Sequence, residues 1–344
     1  MNFLTAEQAK FFESKVMSKT INEIDYMNEY QIMKDFPIQT YADNKIEAMV
    51  TVDTRKIFKN GFRSYGSGAH SIARKQKDAM MVSLIPFVLD TPFGQLDLLG
   101  QNKMLDERTK EQIEYYILQR NDYLKKGLDT TMAWACMQIL LKGEFEVVTA
   151  DGTSYKATYN IAGWQTDDIT GNSRWSQYTQ ANSNPLKDIA RLKKLAMKNG
   201  GGKLTEMKMN STTFETFANH PKVIEKMGDR FKELAYQGLQ DTIIVDGLRI
   251  IKVDDYYEEE DDDTNVYNYI EDGVVIFKVS GQLGQLALGT SNIIDNNVFR
   301  NVQGIYSRAY TSPATNSLVI EAGTTMIPKL DKRYGFIVCN TEAT

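Results

Sequence analysis

Two runs of charge and a few isolated polar side chains are the places where this chain could do chemistry. Between Thr54 and Lys77 stand Arg55, Lys56, Lys59, Arg63, Arg74, Lys75 and Lys77 with no acidic residue among them, and Gly61, Gly66 and Gly68 interrupt the run. Further along, Asp254, Asp255, Glu258, Glu259, Glu260, Asp261, Asp262 and Asp263 crowd together. Carboxylates at that density suit calcium, but the ordered ligands of an EF-hand loop, with its turn glycine and terminal bidentate glutamate, are missing. Repulsion between like charges favours a solvated loop, with a metal site the least favoured use of the run. Another reading sets this loop against the basic segment of a second copy, since a symmetric assembly supplies both halves of such a contact from one sequence. The basic segment, poor in apolar residues, builds no core of its own. It reads as a flexible two-stranded arm that is either a solvated loop or a docking arm for an acidic surface.

The other candidates are sparse. His220 is one of two histidines, His70 in the glycine-rich arm being the other, and no serine, cysteine or carboxylate stands at a motif spacing that would make a nucleophile–base pair. A structural role beside Pro221 is the expectation. Asn199-Gly200-Gly201-Gly202-Lys203 lacks the glycine spacing and the following hydroxyl of a phosphate loop, so it reads as a flexible turn. Cys136 and Cys339 form no metal or redox motif, which fits a reducing, intracellular origin. A net charge of −5 gives no global reason to expect nucleic-acid binding. The N-terminal stretch lacks a basic segment followed by a long apolar one, and the apolar run Val82–Leu89 is broken by Pro86, so neither an export signal nor a membrane anchor is expected. No metal, cofactor or catalytic set is implied, and the parts read as those of an architectural protein.

The elements that must carry these charges are organised around Leu105–Lys142. Ile113, Ile117, Leu124, Leu128, Thr131/Met132, Ala135 and Ile139 recur at helical period, with Asp106 and Glu107 at the start and Lys142-Gly143 at the end. The spacing predicts either one long spine helix or two helices meeting at Gly127, with a buried second half and a first half on a surface. Thr5–Lys34 reads as one or two helices with Thr5 as N-cap, and Phe36–Val52 and Asp78–Phe93 as extended segments flanking the basic arm. Glu144–Tyr159 predicts a hairpin about Asp151-Gly152, and Thr242–Val253 a second about Asp246-Gly247. Trp164 to Asn184 reads as a loop, followed by helices over Leu186–Lys198, from Ser211 to Asn219, and over Lys222–Leu234. Glu206–Asn210, the region about Asp272-Gly273 and the tail Ser317–Val338 read as strands. The length suffices for more than one domain-sized unit.

In their order these parts resemble the major capsid proteins of tailed double-stranded DNA phages of the lambda coat protein class, with the Hong Kong-97-type fold. The stretches that carry the resemblance are LDTTMAWACMQILLKGEFEV running into VTADGTSYKATYNI, then Trp164 and Trp175 followed by NPLKDIARLKKLAMKNGGGK, then MKMNSTTFETFANHPKVIEKM, IIVDGLRIIKVDDYY, YNYIEDGVVIFKVSG and GIYSRAYTSPATNSLVIEAGTTMIPKLDKRYGFIVC.

The resemblance implies an α+β fold with an N-terminal arm over 1–35 and an extended loop with flanking strands over 36–92. It further implies a peripheral domain with the spine helix and hairpin over 93–161, an axial domain over 162–317, and C-terminal strands over 318–344 returning to the peripheral domain. It implies self-assembly in the host cytoplasm into hexamers and pentamers and then an icosahedral shell enclosing DNA, without enzymatic activity. With no long N-terminal extension to act as a built-in scaffold, a separate scaffolding protein is expected, together with a portal and in some shells a decoration protein. The lysine, asparagine and glutamate set that cross-links some members is not identifiable, although Lys59, Lys75, Lys77 and Asn340 are present. Readings from other classes are a decoration or tail-tube protein, and a metal-binding enzyme using the acidic run.

Overall fold

The computed structural model describes residues 13–50, 78–93, 108–148, 152–228, 243–259, 262–295, 298–312 and 317–343. Helix α1 (Ser14–Glu23) buries Met17 and Ile21 and is followed by 3-10 turns at Met27–Glu29 and Gln31–Lys34. The expected N-cap Thr5 lies outside the described residues. Strands β1 (Ile38–Thr40), β2 (Lys45–Val50), β3 (Asp78–Ser83) and β4 (Ile85–Phe93) come next.

Helix α2 (Arg108–Lys142) is 35 residues long and runs unbroken through Gly127, settling the choice between one helix and two. At about 1.5 Å per residue it spans roughly 50 Å. Gly127 stands where β4 crosses the helix: a Cβ there would lie 3.0 Å from Leu89 Cδ1. Leu124, Leu128, Met132, Ala135 and Ile139 are buried as the periodicity required, while Tyr115, Leu118 and Tyr123 in the first half are exposed. Gly143, with φ of +73°, ends the helix and donates its N–H to Ile139 O at 3.0 Å.

Strands β5 (Glu144–Val148) and β6 (Ser154–Thr158) form the expected hairpin. The segment read as a loop contains a strand, β7 (Thr166–Thr170). Helix α3 (Pro185–Lys198) starts at Asn184, whose side chain accepts from Lys187 N. Strand β8 (Leu204–Met209) leads to α4 (Ser211–Ala218), capped by Asn210, whose Oδ1 accepts from Thr213 N at 2.9 Å. Helix α5 (Pro221–Met227) is shorter than the expected Lys222–Leu234: Gly228, at φ of +80°, ends it, and residues 229–242 lie outside the described ones.

Strands β9 (Ile243–Val245) and β10 (Leu248–Lys252) pair through Asp246 and Gly247, both at positive φ, the two-residue turn that suits the twist of a hairpin. The remaining strands are β11 (Tyr256–Glu259), β12 (Asp262–Asn268), β13 (Val274–Val279), β14 (Gly284–Leu288), β15 (Thr290–Asp295), β16 (Val298–Gln303), β17 (Tyr306–Ser312), β18 (Ser317–Leu330) and β19 (Phe336–Ala343).

Two sheets organise the molecule. The first runs β1-β14-β18-β17, with β4 also paired to β18. The second runs β7-β19-β13-β8-β10-β9 and mixes parallel and antiparallel pairs. Strands β12 and β13, adjacent in sequence about Asp272-Gly273, therefore belong to different sheets.

Side chains alternate across the second sheet as strand geometry demands. Met207, Phe277, Ile337 and Cys339 face a core with Ile189 and Leu192 of α3, Phe214 and Phe217 of α4, and Trp175. On the opposite face Ile276, Phe336 and Val338 join the larger core beneath α2 and the first sheet. The glycine-rich turn after α3 is tightly held: a Cβ on Gly201 would collide with the carbonyl oxygen of Tyr334.

Candidate assembly surfaces

The basic residues Arg55, Lys56, Lys59, Arg63, Arg74, Lys75 and Lys77 lie outside the described residues, but the root of their segment is well defined. Strands β2 and β3 pair antiparallel from Lys45↔Ser83 to Val50↔Asp78, so the chain leaves and returns at one point. That root is tied to the body. Leu84 N donates to Asn44 O at 2.9 Å, Asn44 Nδ2 donates to Thr290 O at 2.8 Å, and Thr290 N returns a bond to Asn44 Oδ1 at 2.8 Å. Gly289 permits the approach, since a Cβ there would collide with Asn44 Oδ1.

The acidic run is divided by the fold, and it is not the loop expected from its charge. Asp254 accepts the Ser211 N–H at 2.7 Å and the Ser211 hydroxyl at 2.5 Å, bracing the start of α4. Asp255 accepts from Gln31 N at 2.9 Å, and burial pushes its carboxyl above the usual range. From Tyr256 onward the run forms β11 and β12, an antiparallel hairpin with a register shift between Glu258 and Glu259. Stacked Tyr257 and Tyr267, ring centroids 5.6 Å apart, hold it, and Tyr257 continues onto Tyr269 at 5.2 Å. Glu258 and Glu259 are exposed, and in the strand register Glu259 stands opposite Asp262. Glu260 and Asp261 lie outside the described residues; for Asp262 and Asp263 the strand backbone is described. Among the described residues no group of three His, Cys, Asp or Glu side chains could hold a metal ion.

A buried charge cluster that the sequence reading missed joins the N-terminal segment to the second sheet. Asp35 receives Lys208 Nζ and Lys278 Nζ at 2.5 Å each, and Lys278 also reaches Glu206 at 3.0 Å. Lys208 further donates to Gln31 O at 3.2 Å, and its burial holds the amine below the usual lysine range. Nearby, Tyr26 OH donates to Asp122 at 2.5 Å, Tyr30 OH bonds Thr130 Oγ1 at 2.7 Å, and the buried pair Lys125–Asp129 meets Tyr26 N. Residues 26–36 are thus a strap across α2 fastened by polar contacts at both ends.

His220 is fully buried and Nε2 lies 3.0 Å from Ser183 Oγ. Nδ1 accepts from Lys222 N at 3.2 Å, so the ring proton sits on Nε2 and points at the serine, whose hydroxyl donates to Arg174 O at 2.7 Å. A general base needs the opposite polarity. This pair is a cap and a brace, as the position beside Pro221 suggested. Cys136 and Cys339 are both buried free thiols, and burial pushes both up. No helix among the described residues is long and apolar enough to cross a membrane.

A family model described as phage major capsid protein E matches residues 13–322. No curated relative matches in sequence. Among solved structures, a prophage protein of Escherichia coli CFT073 assigned to its capsid is similar with a TM-score of 0.61 at 13% identity, covering 95% of this chain and 98% of that one. A phage-related protein from Bordetella bronchiseptica RB50 gives a TM-score of 0.56 at 11% identity over 96% and 97% of the two chains. At such identities the likeness concerns the fold, which is α+β and of the Hong Kong-97 type.

Proposed function

We infer how the molecule works from one premise: the chain belongs to the phage major capsid protein E family, and its copies build the icosahedral shell of a tailed phage, a structural role in the virion. Within that shell the two sheets divide the labour. The five-stranded sheet with α2 and the β5–β6 hairpin is the peripheral unit, and the six-stranded sheet with α3, α4 and α5 is the axial unit that gathers copies into hexamers and pentamers. This division puts β14 and β17 in the peripheral unit and β19 in the axial one, where the sequence boundaries stood at 162 and 318. Its support is the hydrogen bonding of the strands.

The basic arm reaches over a neighbouring copy, and the exposed carboxylates of Glu258 and Glu259 on β11 receive it. The exposure of Glu258 and Glu259 supports the reading, because carboxylates at the surface can meet a cation of another copy. The protein performs no catalysis; the reversed polarity at Ser183–His220 supports this. Assembly takes place in the host cytoplasm with a separate scaffolding protein and a portal, and a decoration protein joins where the shell is reinforced. Packaged DNA is enclosed without sequence-specific contact, in keeping with the net charge of −5.

The observation that carries this reading is the continuous α2 spine with the paired root of an arm anchored beside the sheet it packs on. Negative-stain microscopy with sedimentation velocity tests it, on the chain alone and co-expressed with scaffolding proteins. Shells or ring-shaped capsomers are expected. A small monodisperse species under every condition overturns the proposal.

A further inference from the structure

The β15–β16 hairpin presents a face that the reading above does not use. Its register pairs Thr290↔Gln303, Asn292↔Asn301 and Ile294↔Phe299 on one side, and Ser291↔Val302 and Ile293↔Arg300 on the other. The second side is attached to the body. Ile293 is buried, Ser291 Oγ lies 3.0 Å from Thr325 Oγ1, and Arg300 reaches Ser14 Oγ at 3.4 Å. The first side faces outward: Phe299 is 78% exposed and Ile294 52%; Val298 at the tip, paired with Asp295 on the second side, is also exposed.

All six residues on the outward side are uncharged, in a chain where one residue in four is charged. An apolar pair framed by amides and hydroxyls, free of charge, has the make-up of an interface centre rather than of a solvated surface. The hairpin also springs from the same point as the basic arm, through the reciprocal Asn44–Thr290 bonds.

We propose that the outward face of the β15–β16 hairpin, centred on Ile294 and Phe299, is an apolar contact onto a second copy of this chain. The proposal rests on the shell-forming reading, in which a second copy is the surface every subunit meets. It differs from the arm contact in its physics. Salt screens an arm held by lysines and arginines against carboxylates, whereas an uncharged apolar contact keeps its strength, and sulfate reinforces it.

The test combines Ile294→Ser with Phe299→Ser, and separately puts a photo-reactive benzophenone amino acid at position 299. Both are studied in the full chain, co-expressed with its scaffolding protein beside the unmodified chain. The double variant is expected to keep the circular dichroism and melting temperature of the unassembled subunit. Its critical concentration for assembly should rise by roughly tenfold or more, from the apolar area withheld from burial, and by the same factor at low and high salt. The benzophenone chain should give a covalent dimer on illumination.

Shells from the double variant at an unchanged concentration overturn the inference, as does cross-linking only to the scaffolding or another protein. If the unmodified chain itself assembles nothing, it is the shell-forming reading that fails, and the inference with it. If the unmodified chain assembles while the variant does so equally well, the inference alone fails.

Discussion

Replacing Asp35 with alanine removes the carboxylate that lies 2.5 Å from both Lys208 Nζ and Lys278 Nζ. The side chains of all three residues are at most 4% exposed. After the change Lys278 keeps Glu206 at 3.0 Å, but Lys208 keeps only the Gln31 carbonyl at 3.2 Å. One ammonium is then buried without a counter-ion, a situation that costs about 3–5 kcal/mol. In a protein of this size that lowers the melting temperature by roughly 10 °C. The strap should loosen with it, because Asp35 O also accepts from Leu283 N at 3.0 Å and Gly284 N at 3.1 Å.

The pH dependence carries a sign. Burial already depresses the Lys208 amine in the folded protein, so at alkaline pH the unfolded chain binds the proton more readily than the folded one. Stability therefore rises with pH from the depressed folded value up to the ordinary lysine value of about 10.4. Asp35 opposes that depression, and without it the window widens downward, so the variant regains more stability on alkalinisation than the parent does. Thermal unfolding of the unassembled subunit near neutrality and at pH values approaching the ordinary lysine value measures both effects. Asp35→Leu combined with Lys208→Met, which retains the Lys278–Glu206 pair, should recover most of the loss. A change below about 1 kcal/mol, with no recovery at high pH, would refute the claim that the cluster fastens the strap.

Other perturbations reach different parts of the molecule. Arg55→Glu with Lys59→Glu should block shell formation while the monomer stays folded, and adding Glu258→Lys with Glu259→Lys should restore shells; normal shells from the first pair remove the docking arm. Burial lowers the His220 pKa to about 4, so between the unfolded value near 6.5 and that value the unfolded chain binds the extra proton and stability falls as pH drops. Urea midpoints at pH values across the window should show the fall, and His220→Gln should flatten it. Gly284→Ala should cost about 1–3 kcal/mol by overpacking, because the new Cβ meets the Lys329 carbonyl oxygen and the Phe36 ring. Its melting curve beside that of the parent checks this.

What could be read in advance was what depends on local spacing. The stripe on α2 and the Asp246-Gly247 turn each bind residues that are neighbours in sequence, so their patterns survive in one dimension. The Asn184-Pro185 helix start is another such local signal. Strand β7 was missed for the opposite reason. Among the described residues Thr166–Thr170 is an edge strand paired with β19 alone, far along the chain, and Ile169 is its one buried apolar residue. Charge along the open side of such a strand is what an edge requires, and it reads as a loop. The acidic run misled similarly. Its composition says solvent, but Tyr257, Tyr267 and Tyr269 stack to hold a hairpin, and Asp254 and Asp255 were committed to Ser211 and Gln31.

The lysines of the second sheet carry the same lesson into function. Glu206, Lys208 and Lys278 alternate with Met207 and Phe277 as in a strand with one face in water, and from the strand alone that conclusion is sound. Their face is covered instead by a strap more than 170 residues upstream of Lys208, which brings the one carboxylate able to pay for burying both ammoniums. The strap is held by both kinds of contact: Met27, Ile32, Met33 and Phe36 are buried in the larger core, and Asp35 holds the two ammoniums beside them. It meets α2 on one side and β8 and β13 of the second sheet on the other, so it ties that helix to that sheet.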